Sequence, residues 1–410
     1  MKFKLTDQEK KWVLYDVGNS AFVLLAATII PIYFNYLAKN AGLSSVDYLT
    51  YWGYTASIAT LVMAFLGPVV GSISDRKGWK KWIFLASVLL GALCGLFLGF
   101  TKSWLVFLII FLIAKVGFNG SLIFYDSMLG DITEPERMDN VSSQGYAWGY
   151  IGSCLPFLAC LGLVLGSGKI GISMQTAMMI SFLIVSVWWI ICTIPLLRVY
   201  KQKHYVEESS WKHDFIRLGH TIKDALKNKQ ILLFVVAFFF YIDGVYTIID
   251  MATAVGTALG FDTAGLLLAL LATQIVAFPA SIITGRLSQK KSPEAMLSVC
   301  ILAYCGIAVF AMLMTSQVHF WILAIAVGMF QGGIQALSRS YFAKIIPPEK
   351  SGEYFGLLDI CGKGASLMGT MTVSIVSQIL GSVNAGVGML TLFFLVGICL
   401  FRMSVKAGKR

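Results

Sequence analysis

Gly71-Ser72-Ile73-Ser74-Asp75-Arg76-Lys77-Gly78-Trp79-Lys80-Lys81 separates two long apolar runs, and its reading decides the fold. The pattern G-x-x-x-D-R-x-G-x-K-K sets one acid and a basic cluster at fixed spacing in a glycine-punctuated polar turn. Working outward, runs of about 20 apolar residues recur on both sides, the length needed to cross a hydrocarbon core. The first six expected spans are 12–37, 49–73, 82–100, 104–128, 143–166 and 175–199. The second six are 231–256, 264–287, 294–314, 319–344, 354–380 and 386–404. This makes 1–200 an N-terminal six-helix half, 201–230 a polar linker and 231–410 a C-terminal six-helix half. The chain is 57% hydrophobic and 13% charged, against about 25% charged for a soluble domain. That deficit fits an all-α membrane protein, because a charge at mid-bilayer is costly.

The net charge of +11 would suit nucleic-acid binding if it were clustered, but it alternates. Basic residues fill every second loop: Lys2 to Lys11, Arg76 to Lys81, Lys201 to Lys229, Arg286 to Lys291, Lys344 and Lys350, and Arg402 to Arg410. The intervening loops hold only Lys39, Lys102 and Lys169. This asymmetry predicts a protein of the cytoplasmic (plasma) membrane with both termini in the cytoplasm, and no nucleic-acid partner. The first apolar run is too long for a signal h-region and lacks a small-residue cleavage site, so it reads as a retained span. The eight cysteines all fall in apolar segments without metal-ligand spacing, and no cofactor is expected. The linker carries an amphipathic segment, Trp211 to Leu226, with Trp211, Phe215, Leu218 and Ile222 on one face. Such a segment is expected to lie along the inner membrane surface and tether the halves.

The Asp75 loop resembles the signature of the major facilitator superfamily of secondary transporters. Six spans, a linker and six spans suggest an internal duplication. Gly285-Arg286-Leu287-Ser288-Gln289-Lys290-Lys291 stands in the matching loop without the acid. Four further strings narrow the likeness. They are Leu14-Tyr15-Asp16-Val17-Gly18-Asn19-Ser20-Ala21-Phe22, Ser143-Gln144-Gly145-Tyr146-Ala147-Trp148-Gly149-Tyr150-Ile151-Gly152, Tyr241-Ile242-Asp243-Gly244-Val245-Tyr246-Thr247-Ile248-Ile249 and Gln331-Gly332-Gly333-Ile334-Gln335-Ala336-Leu337-Ser338-Arg339-Ser340. Together they are similar to the vacuole-effluxer-like family, which includes autophagy-associated amino-acid effluxers. The resemblance implies a twelve-helix major facilitator fold and small-solute transport, with spans 1, 4, 7 and 10 facing the solute.

Ionisable groups inside spans need an explanation. In span 4, Lys115, Asn119, Leu122 and Asp126 form one helical stripe. Span 10 repeats this with Gln331, Gln335 and Arg339, and span 7 with Asp243, Tyr246 and Asp250. Lys115 and Lys363 would meet a solute carboxylate, Asp243 an ammonium group, and Asn119, Tyr246, Gln274, Gln331 and Gln335 the remainder. Two readings of Asp243 stand side by side: a carboxyl that exchanges a coupling proton, or a fixed salt bridge to Lys363 or Lys115. Asp16, Asn19, Asp126, Arg339 and Asp359 form an expected inner gate. Equally, Asp16 caps span 1 and Asp359 pairs with Lys363 along one helix. Asp75 is expected to meet the positive N-terminal end of span 11 near Gly352 to Gly356, with Arg76 holding the loop to acidic neighbours or lipid phosphates. Trp12, Trp82, Trp104, Trp188 and Trp321 read as interfacial anchors.

Gly166-Ser167-Gly168-Lys169 lacks the spacing of a nucleotide-binding loop, which argues against an ATP-driven pump. No Ser-His-Asp string or His-rich span suggests an enzyme. The expected function is therefore secondary active transport of a small polar or zwitterionic solute by alternating access. A lipid or amphipathic drug exporter is the alternative within transport, and a membrane sensor or scaffold the alternative outside it. The expected partners are a small-molecule solute, membrane lipids and, on the first reading of Asp243, a proton. The chain is expected to be a monomer.

Overall fold

The computed structural model describes residues 3–207 and 211–409, apart from the side chains at 45, 46, 49, 211, 212, 253, 254, 258, 263, 264 and 363–367. The chain is helical nearly throughout. In the first half run α1 (Asp7–Ala27), α2 (Ile29–Asn40), α3 (Ser45–Ser74), α4 (Lys80–Phe97), α5 (Trp104–Ser127), α6 (Leu129–Ile132), α7 (Met138–Ile170) and α8 (Met174–Val199). The linker contributes α9 (Trp211–Lys227). Then follow α10 (Lys229–Ala258), α11 (Thr263–Lys290), α12 (Pro293–Ala311), α13 (Gln317–Ile345), α14 (Ser351–Leu380), α15 (Val383–Gly388) and α16 (Leu390–Gly408). Among the described residues, 11 helical stretches are long and apolar enough to cross a membrane. The 30-residue α14 occupies the place of the expected span 11.

Three sequence expectations are corrected. Span 1 is two helices: α1 stops at Ala27, because Pro31 has no N–H to offer the Ala27 carbonyl. The Thr28 hydroxyl instead donates to the Leu24 carbonyl at 2.6 Å. Asp16 does not cap this span. The helix starts at Asp7 with a capping box between Thr6 and Glu9, which leaves Asp16 buried in its interior. Trp12 is not an interfacial anchor either: it is wholly buried, stacked on Tyr125 at 4.3 Å, and its Nε1 donates to the Tyr125 carbonyl.

The chain divides into two compact units. The first comprises Met1–Ile132, Trp148–Asp214 and Glu349–Gly356; the second comprises Thr133–Ala147, Phe215–Pro348 and Leu357–Arg410. In the first unit α1 packs on α8, and α5 packs on both α3 and α4. The α4–α5 crossing is tight: a Cβ at Gly117 would overlap the backbone of Gly91. Gly117→Val should therefore force the helices apart at a cost on the order of 2–3 kcal/mol. A fall of several degrees in thermal midpoint would show it, and an unchanged midpoint would refute the close approach. In the second unit α10 packs on α16, α11 on α13, and α12 on both α13 and α16.

The linker helix α9 has a packed edge and an open apolar one. Asp214, Leu218 and Thr221 are buried at i, i+4 and i+7, whereas Phe215, Ile222 and Leu226 are exposed. The expected apolar face is thus split between a packed edge and an open one; Trp211 of that face lies outside the described side chains.

Candidate functional site

The Asp75 loop is a buried electrostatic knot within the first unit. Asp75 caps the C-terminal end of α3 and is fully buried. Its two carboxylate oxygens accept the Gly352 and Glu353 N–H groups at 2.9 and 3.0 Å, the free donors at the start of α14. The approach is possible because Gly71 and Gly352 lie back to back, as do Gly67 and Gly356; a Cβ at Gly71, Gly352 or Gly356 would overlap the backbone of the glycine opposite. Lys80, also fully buried, lies 3.3 Å from Asp75 and donates to the Ser351 hydroxyl at 2.7 Å. Arg76 pairs with Asp214 of the linker. The Ser72 hydroxyl donates to Glu353 at 2.9 Å. Burial pushes the Asp75 carboxyl up to about 6, against the opposing pull of Lys80 and the two N–H donors.

The start of the linker is sewn to the same end of the unit. The Val206 N–H donates to the Asp75 carbonyl at 2.8 Å, and Gln202 bridges the Ser74 carbonyl and the Gly78 N–H. Asp131 accepts the Tyr200 hydroxyl at 2.6 Å, the backbone N–H groups of Lys203 and His204, and His204 Nδ1 at 2.9 Å. Burial alone would raise the Asp131 carboxyl. The His204 and Tyr200 hydrogen bonds and the Lys80 charge outweigh it and hold the group below its usual range. The reciprocal bond to Asp131 raises His204, against a smaller opposing effect of burial. Sequence reasoning missed this knot, because Asp131 is one of four acids, with Glu134, Glu136 and Asp139, in the loop 129–142 between spans.

Deeper in the first unit, the buried Asp16 accepts the Tyr125 hydroxyl at 2.9 Å and the Asn19 amide at 3.3 Å. Next to it, the Tyr15 hydroxyl donates to Ser121 at 2.7 Å. Asp16 and Asn19 are therefore brought together as a polar cluster between α1 and α5. On α5, Asn119 is buried, and Lys115 and Asp126 are half-buried.

In the second unit, Asp243 is fully buried on α10. Its Oδ1 accepts the Gly369 N–H at 3.0 Å and the Thr247 hydroxyl at 3.2 Å, while Oδ2 has no hydrogen-bond partner among the described residues. Thr247 was legible as the i+4 neighbour on the stripe, but a backbone donor at Gly369 leaves no side-chain signal. Tyr246 is half-buried and Asp250 exposed. Gln335 donates to the Gln331 carbonyl at 3.2 Å, and Gln331 and Gln274 line a cavity. Asp359 is half-buried, and the Lys363 side chain lies outside the described residues.

Arg339 is the centre of a second knot. Its Nε and Nη2 donate to the Ser142 hydroxyl and carbonyl at 2.8 and 3.0 Å, and the guanidinium lies 4.4 Å above the Tyr146 ring. One turn away, Asp139 accepts Ser340 at 2.6 Å and Lys344 at 2.7 Å. The start of α7 is thereby fastened to α13.

Comparison with known proteins bears on the family and the fold. Over 405 residues, 97% of this chain and 95% of the relative, the sequence is 40% identical to the uncharacterized MFS-type transporter YxiO of Bacillus subtilis strain 168. It is 24% identical over 443 residues to autophagy-related protein 22 of Coccidioides immitis strain RS, covering 87% of this chain and 72% of that one. The fold is shared with the human organic anion transporter MFSD10 at a TM-score of 0.71 and 13% identity, covering 97% of this chain and all of that one. The family model described as vacuole effluxer Atg22 like matches residues 43–410. The chain is a multi-pass membrane transporter of the major facilitator superfamily and belongs to the Atg22-like vacuole effluxer family.

Proposed function

We propose that the protein moves a small polar or zwitterionic solute across the cytoplasmic membrane by alternating access, with both termini in the cytoplasm, as a monomer, and with a proton exchanged at Asp243. Lys115, Asn119, Asp243, Tyr246, Gln274, Gln331, Gln335 and Lys363 contact the solute in this reading. Asp16, Asn19, Asp126, Arg339 and Asp359 act as an inner gate. Asp75 and Arg76 form a cytoplasmic latch, closed while Asp75 holds the start of α14 and released as the transporter opens inward.

The observation that carries the reading is Asp243. A fully buried carboxylate whose described partners are one hydroxyl and one N–H is poorly compensated as an anion, and such a group inside a span marks a proton relay. The test is a proteoliposome assay with a trapped pH dye, challenged with amino acids, dipeptides, organic acids and sugars, alongside isotope counterflow. Asp243→Asn is expected to retain counterflow of the active solute while losing solute-driven proton movement at least about tenfold. Proton movement undiminished in that variant would exclude Asp243 as the coupling group.

A further inference from the structure

All six spans of the second half contribute to the lining of one cavity, which is open on one side and has room for a small molecule, about 90 Å³. Met251 of α10, Leu270 of α11, Ile307 of α12, Phe320 of α13, Val373 of α14 and Leu390 of α16 represent its walls. The lining includes α12 and α16 as well as α10 and α13, so the cavity lies inside the six-helix bundle of the second half. Among the described residues, its lining contains no charged side chain.

Its polar groups are few and unequal. Thr273 is satisfied within the protein, since its hydroxyl donates to the Ala269 and Ala324 carbonyls at 2.9 and 3.0 Å. The Thr247 hydroxyl is turned to Asp243. Gln331 differs: it is 2% exposed, and its Nε2 has no hydrogen-bond partner among the described residues. A buried amide donor without an acceptor is costly. A cavity with hydrocarbon walls stays dry and takes up apolar molecules, and filling it restores the dispersion contacts its walls forgo.

We infer that this cavity is a binding site for a small neutral amphiphile from the membrane: an alkyl or aryl group enclosed by the six helices, with one hydrogen-bond acceptor meeting Gln331 Nε2. The walls select for hydrocarbon and the absence of lining charge selects against ions, while the buried Gln331 Nε2, with the half-buried Gln274 amide also on the lining, sets the polar end. The site shares Gln274 and Gln331 with the solute contacts proposed above, so amphiphile and solute exclude one another there, and the inference does not depend on proton coupling or on the identity of the solute.

The test is photolabelling of the full-length protein in lipid nanodiscs with a diazirine-bearing octan-1-ol and the matching diazirine-bearing octane, adducts being mapped by peptide mass spectrometry. Expected are saturable adducts on the lining residues of α10 and α13, suppressed by excess unlabelled octanol. Filling the cavity by Ala324→Trp, or from the opposite wall by Ala311→Phe, should remove them. Gln331→Leu should raise the half-saturating alcohol concentration roughly five- to tenfold, the worth of one hydrogen bond, and leave the octane unaffected. Two results overturn the inference: adducts confined to outward-exposed residues such as Leu313 and Ile322 and rising linearly with probe, or cavity adducts that persist undiminished in folded Ala324→Trp or Ala311→Phe protein. Wild-type mapping reports on the site even where a filling variant fails to fold.

Discussion

Replacing Asp75 by alanine is expected to release the first turn of α14. The variant loses both acceptors for the Gly352 and Glu353 N–H groups and leaves Lys80 buried without its carboxylate. Removing one member of a buried pair costs about 3–5 kcal/mol, which corresponds to two or more orders of magnitude in an opening equilibrium. Hydrogen exchange of the peptide spanning 349–356 reads this directly, since the donors themselves are the reporting amides. Exchange should accelerate about 100-fold or more, and wild-type protection in Asp75→Ala would sink the latch.

The wild type should also respond to pH. The Asp75 carboxyl is raised, to about 6, in the fastened state, and an open, hydrated loop returns it toward about 4. The stabilisation linked to this group is therefore complete below about pH 4 and declines as pH rises through 6. Between pH 5 and 7.5, opening should become roughly tenfold more favourable after correction for intrinsic exchange chemistry. Asp75→Asn should abolish that slope. A slope that survives in the asparagine variant would assign it to another group.

The second large effect is expected at Arg339. It is almost fully buried, and alanine there removes two charge-assisted hydrogen bonds to Ser142 and the stacking on Tyr146. Each such bond contributes about 1.5–3 kcal/mol, and the ring contact about 1 kcal/mol more. The total loss should be on the order of 3–5 kcal/mol once partial relaxation is allowed. Arg339→Lys should recover only a minor part, because an ammonium cannot reproduce the planar fork. Thermal unfolding of the purified protein checks both variants. Equal midpoints for lysine and arginine would mean that charge alone matters at this position.

Much of the fold was legible because membrane spans obey a simple rule of length and polarity. The exceptions have local causes. The break at Thr28 was encoded by Pro31, but hydropathy averages over it. Trp12 sits where an anchor would, and its burial depends on Tyr125, more than a hundred residues away. On α9 the pattern revealed an amphipathic helix, yet the buried edge is chosen by Asp214 pairing with Arg76, a contact that periodicity cannot encode. Of the candidate residues, the Asp75 loop was readable because its glycines and acid mark a close approach. The Asp243 pocket was half readable: Thr247 shares its helix face, whereas the Gly369 N–H belongs to a backbone. Asp131 and His204 escaped notice because each looks ordinary until the chain folds back.

The placement of Glu349–Gly356 in the first unit bears on how the protein is made. During synthesis Asp75 and Lys80 are made before the segment that satisfies them in the finished fold. The contacts that complete the first unit wait until residue 356 of 410 has left the ribosome. The early product must therefore persist in the bilayer with a buried ion pair incompletely solvated, a state suited to capture by an insertase or to removal by a membrane protease. A chain truncated before that point should accordingly be short-lived in cells, even though every one of its own spans is intact.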